Sequence, residues 1–311
     1  MFGFIRALGD SRTPLYFFIF TTILNIIFNY IFIKYYNLGV TGSALGTVIA
    51  ILISVICCLI CIKKYFPILH LKKEDWIYNK DFMKEHLNIA IPMSVHFAVL
   101  SLSIIIIQAI CNSFGEKIIV GFTIALRIEQ LAIQPLLAIG IAIGTYVAQN
   151  YGACKISRIK EGVKKAILLT FSTSIVLYIF ILNWGEALVS SFLDKQDNFV
   201  VNIGSSYLNI SMIFYFFLGT IFIYRNTLQS MGKPFYPLMS GFIDLAIRSF
   251  AALFLSSKMG YVGIYYAGPL AWIGSAVVVI VGYYLNVYKK SEKQINPDYD
   301  RGECDHLFII Y

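Results

Sequence analysis

The chain has 311 residues, a net charge of +8, 58% hydrophobic and only 14% charged residues, and a mean hydropathy of +0.73. Soluble domains carry roughly 25% charged residues, so a soluble globular fold is excluded and an integral membrane protein is implied. The apolar runs exceed the roughly 20 residues that cross a bilayer as a helix; without period-2 alternation, they specify an all-α polytopic bundle rather than a barrel.

The first span, at about 14–34, follows Gly9-Asp10-Ser11-Arg12-Thr13-Pro14 and is interrupted by Asn25 and Asn29, which share one helix face. Gly39-Val40-Thr41-Gly42 then leads into a second span at about 42–62. The arrangement returns near the end of the chain. Gly232-Lys233-Pro234-Phe235-Tyr236-Pro237 introduces a span at about 235–256, and Gly260-Tyr261-Val262-Gly263 introduces the last, at about 261–287. Pro14 leads Asn25 by the interval that separates Pro237 from Arg248. A helix pair repeated so far apart points to a duplicated membrane bundle. Between the copies lie spans at about 87–111, 118–148, 166–184 and 203–224, eight in all. The repeat unit is then six spans long, the first unit is short by four, and Met1 is expected near the cytoplasmic end of a helix missing from the sequence. The fourth span carries Arg127, Glu129 and Pro135 and is the one expected to bend or break. Pro92, Pro237 and Pro269 fall in the first third of their spans, where a missing amide hydrogen costs least.

This gives two N-terminal spans over 1–62, a cytoplasmic linker over 63–86, a six-span lobe over 87–288 and a cytoplasmic tail over 289–311. The linker mixes Trp76, Ile77, Tyr78, Phe82 and Met83 with Lys and Glu, as expected of an amphipathic connector on the membrane surface. In the tail, Cys304 and His306 are too few for a metal site, and disorder is expected there. Cys57, Cys58, Cys61 and Cys111 lie in apolar spans and read as small hydrophobes.

Lys and Arg alternate between the loops. Lys34, Lys117, Lys195 and Lys258 fall on one side, while the basic clusters at 63–84, 155–165 and 289–293, with Arg6, Arg12, Arg225 and Lys233, fall on the other. The positive-inside rule places both termini in the cytoplasm of a multi-pass protein, most simply in the plasma membrane. The excess charge is then topological and calls for a lipid bilayer, not nucleic acid, as partner.

No Gly-rich phosphate loop, hydrolase or metalloprotease signature is present, so the reading is a transporter rather than an enzyme or ATP-driven pump. Polar residues scattered singly through apolar spans mark transport pathways. Asp244 and Arg248 stand four apart and can pair on one face, and Asp244 is also a candidate for binding the cation or substrate. Arg127 and Glu129 stand two apart and cannot, so each needs its own partner or a wet cavity; this makes Glu129 the better candidate for binding a proton or cation. The unperturbed pKa of a histidine side chain suits a proton-coupled step, which makes His96 a further candidate. Gln108 with Asn112, and Asn25 with Asn29, are polar pairs that serve either a pathway or helix association. Gln149-Asn150-Tyr151-Gly152-Ala153 closes the fourth span with amides and a glycine that permits a tight turn.

Gln149-Asn150-x-Gly152-Ala153 with Arg158, preceded by Ala125-Leu126-Arg127-Ile128-Glu129, resembles the end of the eighth helix in the multidrug and toxic compound extrusion (MATE) transporters. Gly9-Asp10-x-Arg12-Thr13-Pro14, Ile91-Pro92-Met93 before Asn112-Ser113-Phe114-Gly115, and Leu228-Gln229-x-Met231-Gly232-Lys233-Pro234 fit the same family in order and spacing. The resemblance covers about residues 2–288 and implies helices five to twelve of a twelve-helix fold. It further implies secondary antiport, in which a small organic, often cationic, compound leaves the cell as H+ or Na+ enters, with no cofactor, and with two lobes rocking about a central cavity. Arg127, Arg248, Gln149 and Asn150 then take structural or gating parts. The family's N-lobe acid has no matching segment, the acids of helices seven and ten have no counterpart in spans three and six, and His96 stands where many relatives carry Gln. A lipid-linked sugar flippase, favoured only by a strongly cationic cavity, and a non-transporting remnant that binds a missing lobe or a second copy are the alternatives.

The topology has a direct test. In a cysteine-free background, Lys117→Cys is expected to react with a membrane-impermeant maleimide added to intact cells, and Lys160→Cys only after permeabilisation.

Overall fold

The computed structural model describes residues 2–10, 12–70, 78–193 and 197–288. The tail with Cys304 and His306, and the linker residues Trp76 and Ile77, lie outside the described residues. Those described form helices α1 Phe2–Ala7, α2 Arg12–Tyr30, α3 Gly39–Tyr65, α4 Lys80–Asn112, α5 Glu116–Ala132, α6 Gln134–Gly152, α7 Ile156–Ser190, α8 Asn198–Ile213, α9 Tyr215–Ser230, α10 Phe235–Met259 and α11 Val262–Tyr283, with no strand. Seven helices or helix runs are long and apolar enough to cross a membrane, and the bent pair α8 and α9 makes an eighth. The chain divides into two compact units, Met1–Lys80 and Asp81–Tyr311.

In the first unit, α3 buries Gly42, Gly46, Ala50, Ser54 and Cys58. These small residues recur every four positions and form one stripe, which lets α2 approach closely; lipid offers no hydrophobic drive, so close packing and hydrogen bonds must hold the pair. Thr21 Oγ1 donates to Ser54 Oγ at 2.5 Å and Asn25 Nδ2 to Thr47 Oγ1 at 3.0 Å. Asn29 Nδ2 donates to Asn25 Oδ1 at 3.1 Å, so the paired asparagines occupy the α2–α3 seam. Asp10 starts α2 by accepting from the Arg12 and Thr13 amides at 2.9 and 3.1 Å and from Thr13 Oγ1 at 2.6 Å. These bonds, the Thr13 hydroxyl's first, hold its carboxyl below the usual carboxylate range.

The second unit holds α4 to α11. Its inner helices face one another with small or apolar stripes, while Leu168, Leu169, Val176 and Trp184 of α7 stand exposed, as suits a lipid-facing helix. Gly121 of α5 and Gly204 of α8 mark a close approach of these two helices. A Cβ at Gly121 would lie 2.9 Å from Val200 O and from Ile203 Cγ2, and one at Gly204 would lie 3.1 Å from Gly121 O. The two copies of the sequence repeat fold alike, as the pairs α2–α3 and α10–α11. In each, the second glycine of the Gly-x-x-Gly lies against the preceding helix end, Gly42 by Phe32 and Gly263 by Leu255.

Several details differ from the sequence reading. The fourth span does break, at Ile133, where Pro135 falls in the first turn of α6 and its missing amide is harmless. The sharper bend, 53°, falls in the sixth span at Phe214, which has neither proline nor glycine beside it. The fully buried Tyr215 starts the second limb there with its ring edge against Trp272, so packing rather than local sequence accounts for the turn. Pro92 and Pro269 both lie inside their helices, Pro92 because α4 starts at Lys80, well before the apolar run, and Pro269 because it falls two turns into α11. Lys-Glu segments are good helix formers and carry helices past the membrane boundary, as the Glu161–Lys165 pair at 2.6 Å shows for α7. Gly152 stays helical; the left-handed residue that ends α6 is Cys154, with φ 55°. Lys155 N then reaches Asn150 O at 2.8 Å. Cys57, Cys58, Cys61 and Cys111 are free thiols, two of them buried.

Gly121→Ala is expected to destabilise the second unit by roughly 1–3 kcal/mol, read as a lower unfolding temperature in detergent. Gly152→Ala, whose Cβ would meet open space, should leave that temperature unchanged or raise it.

Candidate functional site

Six helices of the second unit, α4, α5, α8, α9, α10 and α11, enclose a cavity of about 330 Å³. Most of its wall is aliphatic or aromatic, with Phe122, Phe222 and Trp272 among the lining side chains, and its charged groups with His96 fall into three clusters.

The first centres on Glu129. On α5 the residues Ile118, Gly121, Phe122, Ala125, Ile128 and Glu129 are buried, a helical stripe that carries the carboxylate inward. Arg127, about 200° away around the helix, is exposed. Tyr207 Oη donates to Glu129 Oε2 at 2.7 Å, and Tyr215 Oη reaches the Glu129 carbonyl oxygen at 3.4 Å. The two tyrosines stand on opposite sides of the bend at Phe214, so α8 and α9 both converge on this residue. No cation lies within ion-pair distance of Glu129 among the described residues.

The second cluster is the pair inferred from spacing. Arg248 Nε and Nη2 donate to the two Asp244 oxygens at 2.9 and 2.8 Å, and Ser103 Oγ of α4 donates to Asp244 Oδ2 at 3.2 Å. Asp244 is therefore fully engaged, in a bidentate arrangement of the strong kind. Gly268 of α11 leaves room for the guanidinium, since a Cβ there would lie 3.3 Å from Arg248 Nη1. Arg248 also stands close enough to Glu129 for their charges to interact.

The third cluster joins α4 and α9. His96 is buried, with its ring over Gly241, and its Nε2 lies 3.3 Å from Arg225 Nη1. A guanidinium only donates, so Nε2 must accept and the ring's proton sits on Nδ1. Arg225 is 9% exposed and lies over the Phe222 ring at 5.0 Å, with no carboxylate in reach among the described residues. Spacing alone puts Arg225 in the basic loop after span six, but α9 continues to Ser230 and draws it inside. Had the span been extended by one residue, Arg225 would have joined the intramembrane charges.

Of the other residues singled out, Gln108 lines the cavity and donates to Asn112 at 3.0 Å, while Asn112 is exposed and not part of the wall. Asn25 belongs to the first unit. Gln149 and Asn150 sit at the end of α6, where Asn150 Nδ2 donates to Tyr146 O at 2.8 Å. The described residues contain no cluster suited to a metal ion.

The membrane-length helices thus enclose a small, largely apolar cavity with a few converging charges, the kind of concave site that a small molecule can occupy. The MatE family model matches residues 92–254, more than half of the chain, and the chain belongs to that family. "Probable multidrug resistance protein YoeA" of Bacillus subtilis is 27% identical over 93% of this chain and 64% of its own length. "Probable multidrug resistance protein NorM" of Thermotoga maritima is 23% identical over 89% of this chain and 59% of its own length. The chain thus spans about three fifths of these curated relatives. Among solved structures, a MATE in the bent conformation superposes with a TM-score of 0.82 at 19% identity, covering 94% of this chain and 66% of that one. The outward-facing conformation of a multidrug resistance MATE family transporter gives 0.85 at 18%, covering 92% and 65%.

Breaking the buried pair should be costly. Asp244→Asn is expected to destabilise the protein by roughly 3–5 kcal/mol, because it strands the Arg248 charge. In a double-mutant cycle with Arg248→Gln, unfolding in micelles should give a coupling energy above about 1 kcal/mol.

Proposed function

We propose that this chain serves a secondary antiporter of the plasma membrane, with both termini cytoplasmic, which exports a small organic compound, often cationic, in exchange for H+ or Na+. The observation that carries this reading is Glu129: a buried carboxylate in the cavity wall, held by a tyrosine hydroxyl and lacking an ion-pair partner among the described residues. A charge of that kind in a low-dielectric wall requires a counter-cation. An entering proton or Na+ and a cationic substrate can each meet the requirement, and competition between them is what exchange needs. Tyr207 keeps the carboxylate oriented toward α8, and Arg248, committed to Asp244, leaves it available. The aromatic wall offers ring faces to a flat organic body or a cation. Nothing here draws on a cofactor or on catalytic chemistry. The flippase alternative is not favoured, since the named relatives are multidrug resistance proteins.

The test is ethidium transport by proteoliposomes containing the chain. With an imposed proton or Na+ gradient, one of the two should accelerate transport. Glu129→Gln is expected to abolish the gradient dependence, while Glu129→Asp retains part of it. A well-folded, inserted sample that moves ethidium under neither gradient would overturn the proposal.

A further inference from the structure

Arg225 is not accounted for by exchange at Glu129. A guanidinium stays charged at any pH a cell reaches, and a charge removed from water is stable only when paired or well hydrogen-bonded. Arg225 is nine-tenths buried, yet its only polar partner among the described residues is one neutral imidazole nitrogen, with the Phe222 ring beside it. The side chain lines the cavity, so donors not used by His96 face space that a ligand can enter. His96 is itself fixed by its seat over Gly241 and orients the guanidinium. Neither carboxylate of the cavity forms an ion pair with Arg225 among the described residues, and Asp244 is already held by Arg248 and Ser103.

We propose that Arg225, oriented by His96, forms a subsite for an anionic group of the transported molecule, a carboxylate or phosphate attached to an aromatic body that packs on Phe222. This rests on the transporter reading and refines its substrate class. The preferred substrate carries an anion at the Arg225 end of the cavity, and a cationic centre, if it has one, near Glu129. Such a molecule is amphoteric rather than simply cationic.

The experiment is equilibrium binding of 2-naphthoate, its methyl ester and 2-naphthylmethylammonium to the full chain in phosphatidylcholine nanodiscs. The wild type is expected to bind naphthoate at least about tenfold more tightly than the ester, as a charge-assisted contact requires. Arg225→Met should erase that preference while leaving ester binding in place, Arg225→Lys should keep part of it, and His96→Gln should weaken it without abolishing it. Ester binding by Arg225→Met also reports that the variant is folded, and Arg225→Lys keeps the charge if it is not. Equal binding of naphthoate and ester by the wild type, a preference for the ammonium compound, or a naphthoate preference that survives Arg225→Met would overturn the proposal. So would loss of naphthoate binding when phosphatidylglycerol replaces phosphatidylcholine, which would assign the corner to a lipid headgroup. Binding needs no ion gradient, so this result and the gradient dependence of Glu129 succeed or fail independently.

Discussion

In hydrocarbon a charged group must find its partner within the protein, and that constraint organises the second unit of this chain. Four charged side chains and one imidazole line a single cavity, and the charges are met in three different ways. Asp244 and Arg248 neutralise one another in a bidentate pair secured by Ser103. Glu129 has a phenol hydroxyl. Arg225 has an imidazole nitrogen and a ring face. The pair is a closed unit, whereas the other two charges are only partly compensated, and partial compensation is what leaves room for a ligand or ion to contribute.

The cavity exists because the surrounding helices cannot close on it. Bulky residues at its wall hold the helices apart, while small residues elsewhere bring them together. Gly121 and Gly204 seat α5 against α8, fixing the depth at which Glu129 and Tyr207 meet. Gly241 and Gly268 do something different, giving space to the His96 ring and the Arg248 guanidinium. The bend at Phe214 lets α8 and α9 present Tyr207 and Tyr215 to the same acid. The first unit uses the same device in its seam, where the small-residue stripe on α3 is filled by α2 and the asparagines bond across or along it.

Membership of the MatE family fits this division of labour. The match covers residues 92–254, which include His96, Glu129, Arg225, Asp244 and Arg248. The low identity to the solved structures carries the fold and leaves the chemistry of the cavity to the residues of this chain. Those residues combine acid and base within one apolar space, so the cavity cannot be described by a single sign of charge.

The sequence by itself determined the class, the number and order of the spans, the repeated pair and the Asp244–Arg248 contact. Each follows from local information: hydropathy over a span's length, turn residues at fixed offsets, and the four-residue geometry of a helix face. It also separated Arg127 from Glu129, because two positions on a helix point to different sides. Only the tertiary structure decided that Glu129 meets Tyr207, that His96 meets Arg225 and that the sixth span bends at Phe214, since these depend on residues 78 or more positions apart or on packing that no local motif encodes. Arg225 marks the boundary between the two kinds of knowledge. A hydropathy window assigns an arginine at the end of an apolar run to water, whereas the folded bundle continues the helix past it and turns the side chain into the cavity, where neighbouring helices supply the partners that one helix cannot.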